Sequence, residues 1–272
     1  MVRLDEKELR TVAHQSSKGN QLKWEAGGMW YKADYMGYEG LAEYMVSGLL
    51  SYSNMNEEDY ILYGTEEIRY KKAIYRGCRS RNFLPEGWQL ITLERLFQNL
   101  YGQSLYRSIF KIQGTEERAR FLTEQVEQMT GLNGFGGYLS RLLTVDALFL
   151  NEDRHIHNIA VLHDGSGKYY YCSVFDNGSA LLSDIQMDYP LGEDIIDLIP
   201  QVRAKTLSGD FAEQLEAVEN LYGQPLKFSY DIHDIEALLE KEPYYPEEIK
   251  VRVRDILLQQ RGTYKYPCSY TH

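Results

Sequence analysis

The sequence predicts an α+β protein of two lobes, a small lobe built on a mostly antiparallel sheet over residues 1–96 and a larger helical lobe over 97–272. Three observations carry this. Up to about residue 97, short runs rich in Tyr, Ile and Trp alternate with turn residues, as strands do. Beyond it, apolar residues recur mostly at helical spacing. Between a helix-like apolar run and a strand-like one lies Asn151-Glu152-Asp153-Arg154-His155-Ile156-His157-Asn158, where an acid, two imidazoles and an amide fall within the six positions from Asp153 to Asn158.

Residues 3–14 form a strand or short lead-in, and Gln15 to Lys23 is a loop of small, turn-forming residues whose N–H groups can face an anion. Two short aromatic strands follow over 22–33, joined at Gly27-Gly28. From Tyr38 to Tyr52 the spacing of Leu41, Tyr44, Met45, Leu49 and Tyr52 predicts a helix, with Glu39 and Glu43 on an adjoining face. Residues 60–63, 68–70, 72–78 and 89–96 read as further strands of the same sheet. In the second lobe helices are expected over 116–130 and 138–150, strands over 158–163 and 168–175 around Asp164-Gly165-Ser166-Gly167, and helices over 211–222, 232–241 and 247–261.

Composition bounds the function. A formal net charge of −11 argues against direct nucleic-acid binding, which needs a basic surface to displace counterions from phosphates. Three scattered cysteines, Cys78, Cys172 and Cys268, support neither a disulfide framework nor a Cys-based zinc site and fit a reducing cytoplasm. The amino terminus lacks a signal-peptide core, and no run approaches the roughly 20 apolar residues of a membrane helix, so a cytoplasmic chain is expected.

The polar residues point to phosphoryl transfer. Mg2+ takes hard oxygen ligands and usually only one or two from protein, and Asn158 and Asp176 supply such a pair from facing strands. Asp153, at the head of the same loop, can orient a substrate hydroxyl or accept its proton. Lys32, on a strand and paired with Glu43 or Glu39 on the next helix, would hold nucleotide phosphates by charge. Glu43 is favoured, because a position farther along the helix faces the sheet better than one at its fraying start. Singly, each feature is ordinary: Asp176-Asn177-Gly178 is a turn motif, and the glycine-containing loop matches no standard phosphate-loop fingerprint. Their order along the chain carries the reading.

That order, with the local sequences, resembles the HipA-like serine/threonine kinases, a bacterial branch with a two-lobed protein-kinase-like fold that includes toxin kinases. Asn151-x-Asp153-x-His155-x-x-Asn158 is similar to the family's catalytic loop. The resemblance implies a base at Asp153, a loop-organising role at His155, and metal ligation by Asn158 and Asp176. Gly19-Asn20-Gln21-Leu22-Lys23 resembles the phosphate loop, with Leu22 where a proline often stands, and Trp30-Tyr31-Lys32-Ala33 resembles the lysine strand. Ile91 to Leu96 resembles the segment lining the adenine pocket, which puts Glu94 and Leu96 among the nucleotide-binding residues with Ser17, Gly19, Asn20, Gln21, Lys23, Lys32 and Glu43. Asn177 stands where many kinases carry an aromatic residue. There is no room before Ser16 for the family's extra amino-terminal subdomain, so a short kinase core is expected. The resemblance runs from about residue 10 to 180.

The implied function is an ATP- and Mg2+-dependent kinase of protein Ser/Thr hydroxyls, regulated by autophosphorylation at Ser16 or Ser17. A doubly charged group there would repel nucleotide phosphates. The resemblance extends to the toxin of a toxin–antitoxin pair, with an antitoxin protein as partner and an aminoacyl-tRNA synthetase as substrate. Two readings compete: a nucleotide-binding pseudokinase or regulatory partner, against which the intact Lys32, Asp153, Asn158 and Asp176 stand, and a metal hydrolase using His155, His157 and Asp153.

Overall fold

The computed structural model describes residues 1–10, 21–265, 267 and 268. It divides into two compact units that interleave along the chain, one formed by Met1–Phe83, Phe175–Val202 and Phe228–His272, the other by Leu84–Val174 and Arg203–Lys227.

The first unit is built on a five-stranded sheet of β1 (Val2–Leu4), β2 (Lys23–Ala26), β3 (Met29–Ala33), β4 (Tyr63–Tyr70) and β5 (Ala73–Arg81), in the order β1-β4-β5-β3-β2. β2 and β3 form the expected hairpin, and Gly27 and Gly28 take the positive φ values of 58° and 76° that its turn needs. All pairs are antiparallel except β1 with β4. The strand expected over 60–63 contributes only Tyr63, the first residue of a continuous β4 that also takes in 68–70, because Gly64 and Thr65 keep pairing with Arg79 and Cys78 and do not turn.

Helix α1 (Glu39–Leu50) lies on this sheet. Leu41, Met45, Val46 and Leu49 are fully buried, each side chain contributing roughly 1.5–3 kcal/mol. Gly40 permits the helix's close approach, since a Cβ there would stand 2.4 Å from the Gly77 carbonyl carbon, and Gly77 permits the tight packing of β5 on β3, since its Cβ would stand 2.0 Å from the Lys32 carbonyl oxygen. The face carrying Glu39 and Glu43 is buried too, at 7% and 1% exposure, so both acids face protein.

The second unit holds a separate three-stranded antiparallel sheet, β6 (Gln89–Thr92), β7 (Ala160–His163) and β8 (Tyr169–Tyr171). Two expectations are corrected here. The 89–96 strand belongs to this second sheet and not to the first, since β6 pairs with β7 through Thr92 and Ala160. It also ends at Thr92, whose hydroxyl accepts the N–H of Arg95 and caps α2 (Leu93–Tyr101), so Glu94 and Leu96 are helical. Helices α3 (Leu105–Phe110), α4 (Thr115–Thr130) and α5 (Phe135–Phe149) follow β6. α6 (Ile195–Leu198), α8 (Ile232–Lys241) and α9 (Glu247–Thr263) belong to the first unit, α7 (Phe211–Tyr222) to the second. Among the described residues no helix is long and apolar enough to cross a membrane.

Candidate active site

In the first unit, β3 and α1 bring Lys32 and Glu43 together and the segment after β8 adds Asp176. The Lys32 ammonium donates to Glu43 Oε1 at 2.6 Å and to Asp176 Oδ1 at 2.7 Å. It also lies over the buried ring of Tyr63 from β4, 5.2 Å from the centroid. Burial alone would lower the Lys32 pKa, but the Asp176 and Glu43 carboxylates outweigh it and hold the ammonium charged, well above its ordinary value. Burial pushes the Glu43 carboxyl up, partly offset by Lys32.

The choice between the two helix acids has a geometric answer. Glu39 spends its carboxylate on the backbone N–H groups of Tyr35, Met36 and Gly37, at 3.2, 2.6 and 3.1 Å, which pins the segment leading into α1. Glu43, one turn on, points its second oxygen at the Asn177 N–H, 2.8 Å away. Asp176 therefore sits beside a residue that Glu43 anchors. It adopts φ of 60°, and Leu181 and Leu182 both adopt 57° in the following turn. Left-handed backbone outside glycine is costly and clusters where a loop must place a side chain. Ser183 Oγ, donating to Gly178 O at 2.6 Å, and Tyr38 OH, donating to Leu181 O at 2.6 Å, hold that turn.

In the second unit, Leu150 ends α5 with a left-handed φ of 57° and starts the loop that carries Asp153, His155 and Asn158. The Asn158 amide donates to Asp153 O at 2.8 Å and to Asp153 Oδ2 at 3.1 Å. Its hydrogens are thus spent on Asp153, and its oxygen is the atom that suits a hard cation. His155 Nε2 is 3.7 Å from Asp153 Oδ1. Burial lowers the His155 pKa below its ordinary value, with Asp153 opposing. His157 lies edge-on to His155, ring centroids 5.2 Å apart.

The loop is held from beneath by residues the sequence reading did not single out. Asp146, on α5 and fully buried, accepts from Asn151 Nδ2 at 3.0 Å and from Arg154 Nε at 3.1 Å. Arg154 is itself 2% exposed and reaches Asn158 O at 3.5 Å, while Thr206 Oγ1 donates to Arg154 O. Burial raises the Asp146 pKa to about 6, against the pull of Arg154. The available signal was an aspartate and an arginine in otherwise apolar surroundings, Val145-Asp146-Ala147 and the loop that follows.

Of the other nucleotide-binding expectations, Lys23 lies on β2 opposite Lys32, and Gln21 precedes that strand. The Glu94 carboxylate accepts the Tyr106 N–H at 2.8 Å, and Leu96 is buried. Ser16, Ser17, Gly19 and Asn20 lie outside the described residues. Asp176 belongs to the first unit, Asp153 and Asn158 to the second. Among the described residues no group of three or more His, Cys, Asp or Glu side chains is placed to hold a metal, so the hydrolase reading of His155, His157 and Asp153 has no ligand cluster behind it.

These elements define a protein-kinase-like α+β fold. The chain is similar in structure to the Helicobacter pylori proinflammatory kinase CtkA, with a TM-score of 0.61 over 96% of this chain and 94% of that one, at 14% identity. At that identity the likeness is one of fold. No protein-family model matches the chain, and no curated protein does.

Proposed function

We propose that the protein is a HipA-like kinase that transfers the γ-phosphoryl group of ATP, with Mg2+, to a Ser or Thr hydroxyl of a protein. The observation that carries this is the charged Lys32 held between Glu43 and Asp176 at 2.6 and 2.7 Å. A lysine fixed by a helix glutamate and set beside an acidic loop residue is what phosphate binding requires of a strand cation. The kinase fold of the neighbour supports the same reading.

Phosphoryl transfer leaves a protein little covalent work, so its residues act by positioning and by charge. Lys32 would bind the nucleotide phosphates, with Glu43 keeping the ammonium in place. Asp153, its carboxylate oriented by the Asn158 amide at 3.1 Å, would align the acceptor hydroxyl and take its proton. On the HipA-like resemblance, Asn158 and Asp176 would each offer Mg2+ an oxygen ligand of the kind it takes. When bound, the ion neutralises phosphate charge. Glu94, Leu96, Gln21 and Lys23 would complete the nucleotide site with Ser17, Gly19 and Asn20. Autophosphorylation at Ser16 or Ser17, a toxin role with an antitoxin partner, and an aminoacyl-tRNA synthetase target rest on the HipA-like resemblance alone.

Asp153→Asn tests the assignment. It should lower phosphotransfer by about 10²–10⁴-fold, the range for a lost general base, while a thermal shift with ATP and Mg2+ stays near that of the wild type. Normal turnover in the variant would remove Asp153 from this role.

A further inference from the structure

Beside the Asp153 loop, wholly within the second unit, lies a cavity of about 480 Å³. Its lining combines two rings, Tyr106 and Phe110 from α3, with His155, His157 and Lys205. No carboxylate contributes to that lining. This is unusual ground in a chain with a formal net charge of −11. Arg118, outside the lining, stacks on Phe110 with its guanidinium 4.8 Å from the ring centroid and donates to Ile112 O and Leu207 O. Lys205 and His157 are exposed, so their polar groups are open to a ligand. His155 belongs both to this wall and to the loop, its Nε2 3.7 Å from Asp153 Oδ1. Its other nitrogen, Nδ1, is buried with no hydrogen-bond partner.

We propose that this cavity is the specificity site for the acceptor chain, and that it takes an acidic side chain, Asp or Glu, lying within a few residues of the phosphorylated Ser or Thr. The inference rests on the kinase reading and gives it a substrate class. An acceptor hydroxyl presented to Asp153 carries its neighbouring residues past His155 and His157. There a carboxylate meets Lys205 and two imidazole rings, while the aliphatic part of its side chain packs on Tyr106 and Phe110. A lysine or arginine in the same place would meet like charge from Lys205 with no carboxylate in the lining to receive it. Glu213, outside the lining, accepts from the hydroxyls of Ser208 and Thr115, which hold its carboxyl below the ordinary value and keep it charged, with Arg118 beside it as counter-ion. Charge complementarity of this kind sets partner choice more than raw affinity.

The test uses the full-length protein and three fluorescein-labelled peptides with one central Ser, flanked by Glu, by Gln or by Lys. Binding is read by anisotropy without nucleotide, and phosphorylation is read separately. The Glu peptide should bind about tenfold more tightly than the Lys peptide, the difference between one exposed ion pair formed and one opposed. Lys205→Glu should abolish or reverse that order. Lys205 is exposed, so the fold should tolerate the change, and a matching circular-dichroism melt checks this. Tyr106→Ser should weaken all three peptides alike. Equal affinities in the wild type, or an unchanged preference in a folded Lys205→Glu protein, would overturn the proposal. The two readings fail separately. Binding of the Glu peptide with its order reversed by Lys205→Glu, but no phosphate transferred, would sink the kinase reading and keep the acidic site. Phosphorylation indifferent to flanking charge would do the opposite.

Discussion

Asp146→Asn probes whether the buried pair beneath the Asp153 loop holds that loop in place. The substitution is isosteric and leaves an oxygen that can still accept from Asn151, so what it removes is the charge facing Arg154. Asp146 is fully buried and Arg154 is 2% exposed, with Nε 3.1 Å from Oδ1. A guanidinium deprived of its carboxylate at that depth costs about 3–5 kcal/mol. For a domain of this size each kcal/mol moves the melting temperature by about 2–4 °C, so a drop on the order of 10 °C is expected. Calorimetry measures it. The double variant Asp146→Asn with Arg154→Met, which replaces the stranded charge by an apolar chain, should recover much of the loss. Phosphotransfer should fall in the single variant even well below its melting point, because Arg154 also reaches Asn158 O. A single variant melting within about 2 °C of the wild type, or a double variant that melts lower still, would refute the reasoning.

Two further perturbations concern the first unit. Asp34 follows β3, accepts from Tyr245 OH at 2.6 Å and from the Gly40 N–H at 2.7 Å, and is raised to about 7 by burial and by Glu39. Its folded pKa lies above the free value of 3.8, so between about pH 4 and 7 the folded state holds a proton that the unfolded chain has released. This contribution is complete below about pH 4 and is lost as pH rises through 7. Urea unfolding at pH 4.5, 6 and 7.5 should therefore show the wild type losing stability relative to Asp34→Asn, by at most about 1.4 kcal/mol per pH unit; parallel curves would contradict it. Gly77→Ala places a Cβ 2.0 Å from Lys32 O and must displace β3, so it should cost more than the 1–3 kcal/mol of ordinary overpacking and weaken nucleotide binding, both read in one thermal-shift series with and without ATP.

Local chemistry was legible in the sequence where local chemistry decides. The Gly27-Gly28 hairpin, α1, and helices over 211–222 and 232–241 stand where their turn residues and apolar spacing put them. That Lys32 pairs with a glutamate of the next helix was legible, because a strand followed by a helix places one above the other, but the choice of Glu43 over Glu39 depends on the backbone N–H groups that Glu39 caps instead of facing Lys32. What was not legible depends on distant partners. The strand after Trp88 carries no mark of which sheet it joins, and only its register with residues 160–163 assigns it to the second one. The helical state of Glu94 and Leu96 hung on a single capping hydroxyl, Thr92, against β-prone neighbours. The pairing of Asp146 with Arg154 was not legible, since burial and pairing over eight positions are properties of the fold. The acid-free cavity drew its wall from α3 and from residues near 205, about a hundred positions apart.

On the proposed reading, Lys32, held between Glu43 and Asp176, binds nucleotide phosphates for transfer to a hydroxyl. The most direct measurement is incorporation of labelled γ-phosphate from ATP into Ser or Thr, on the protein itself or on the Glu-flanked peptide, with and without Mg2+. The wild type should incorporate label only with Mg2+, and a folded Lys32→Met variant should lose about 10²–10³-fold in rate, as expected when a preorganised charge is removed. Label transferred equally by both proteins, or by neither at saturating ATP and Mg2+, would contradict the account.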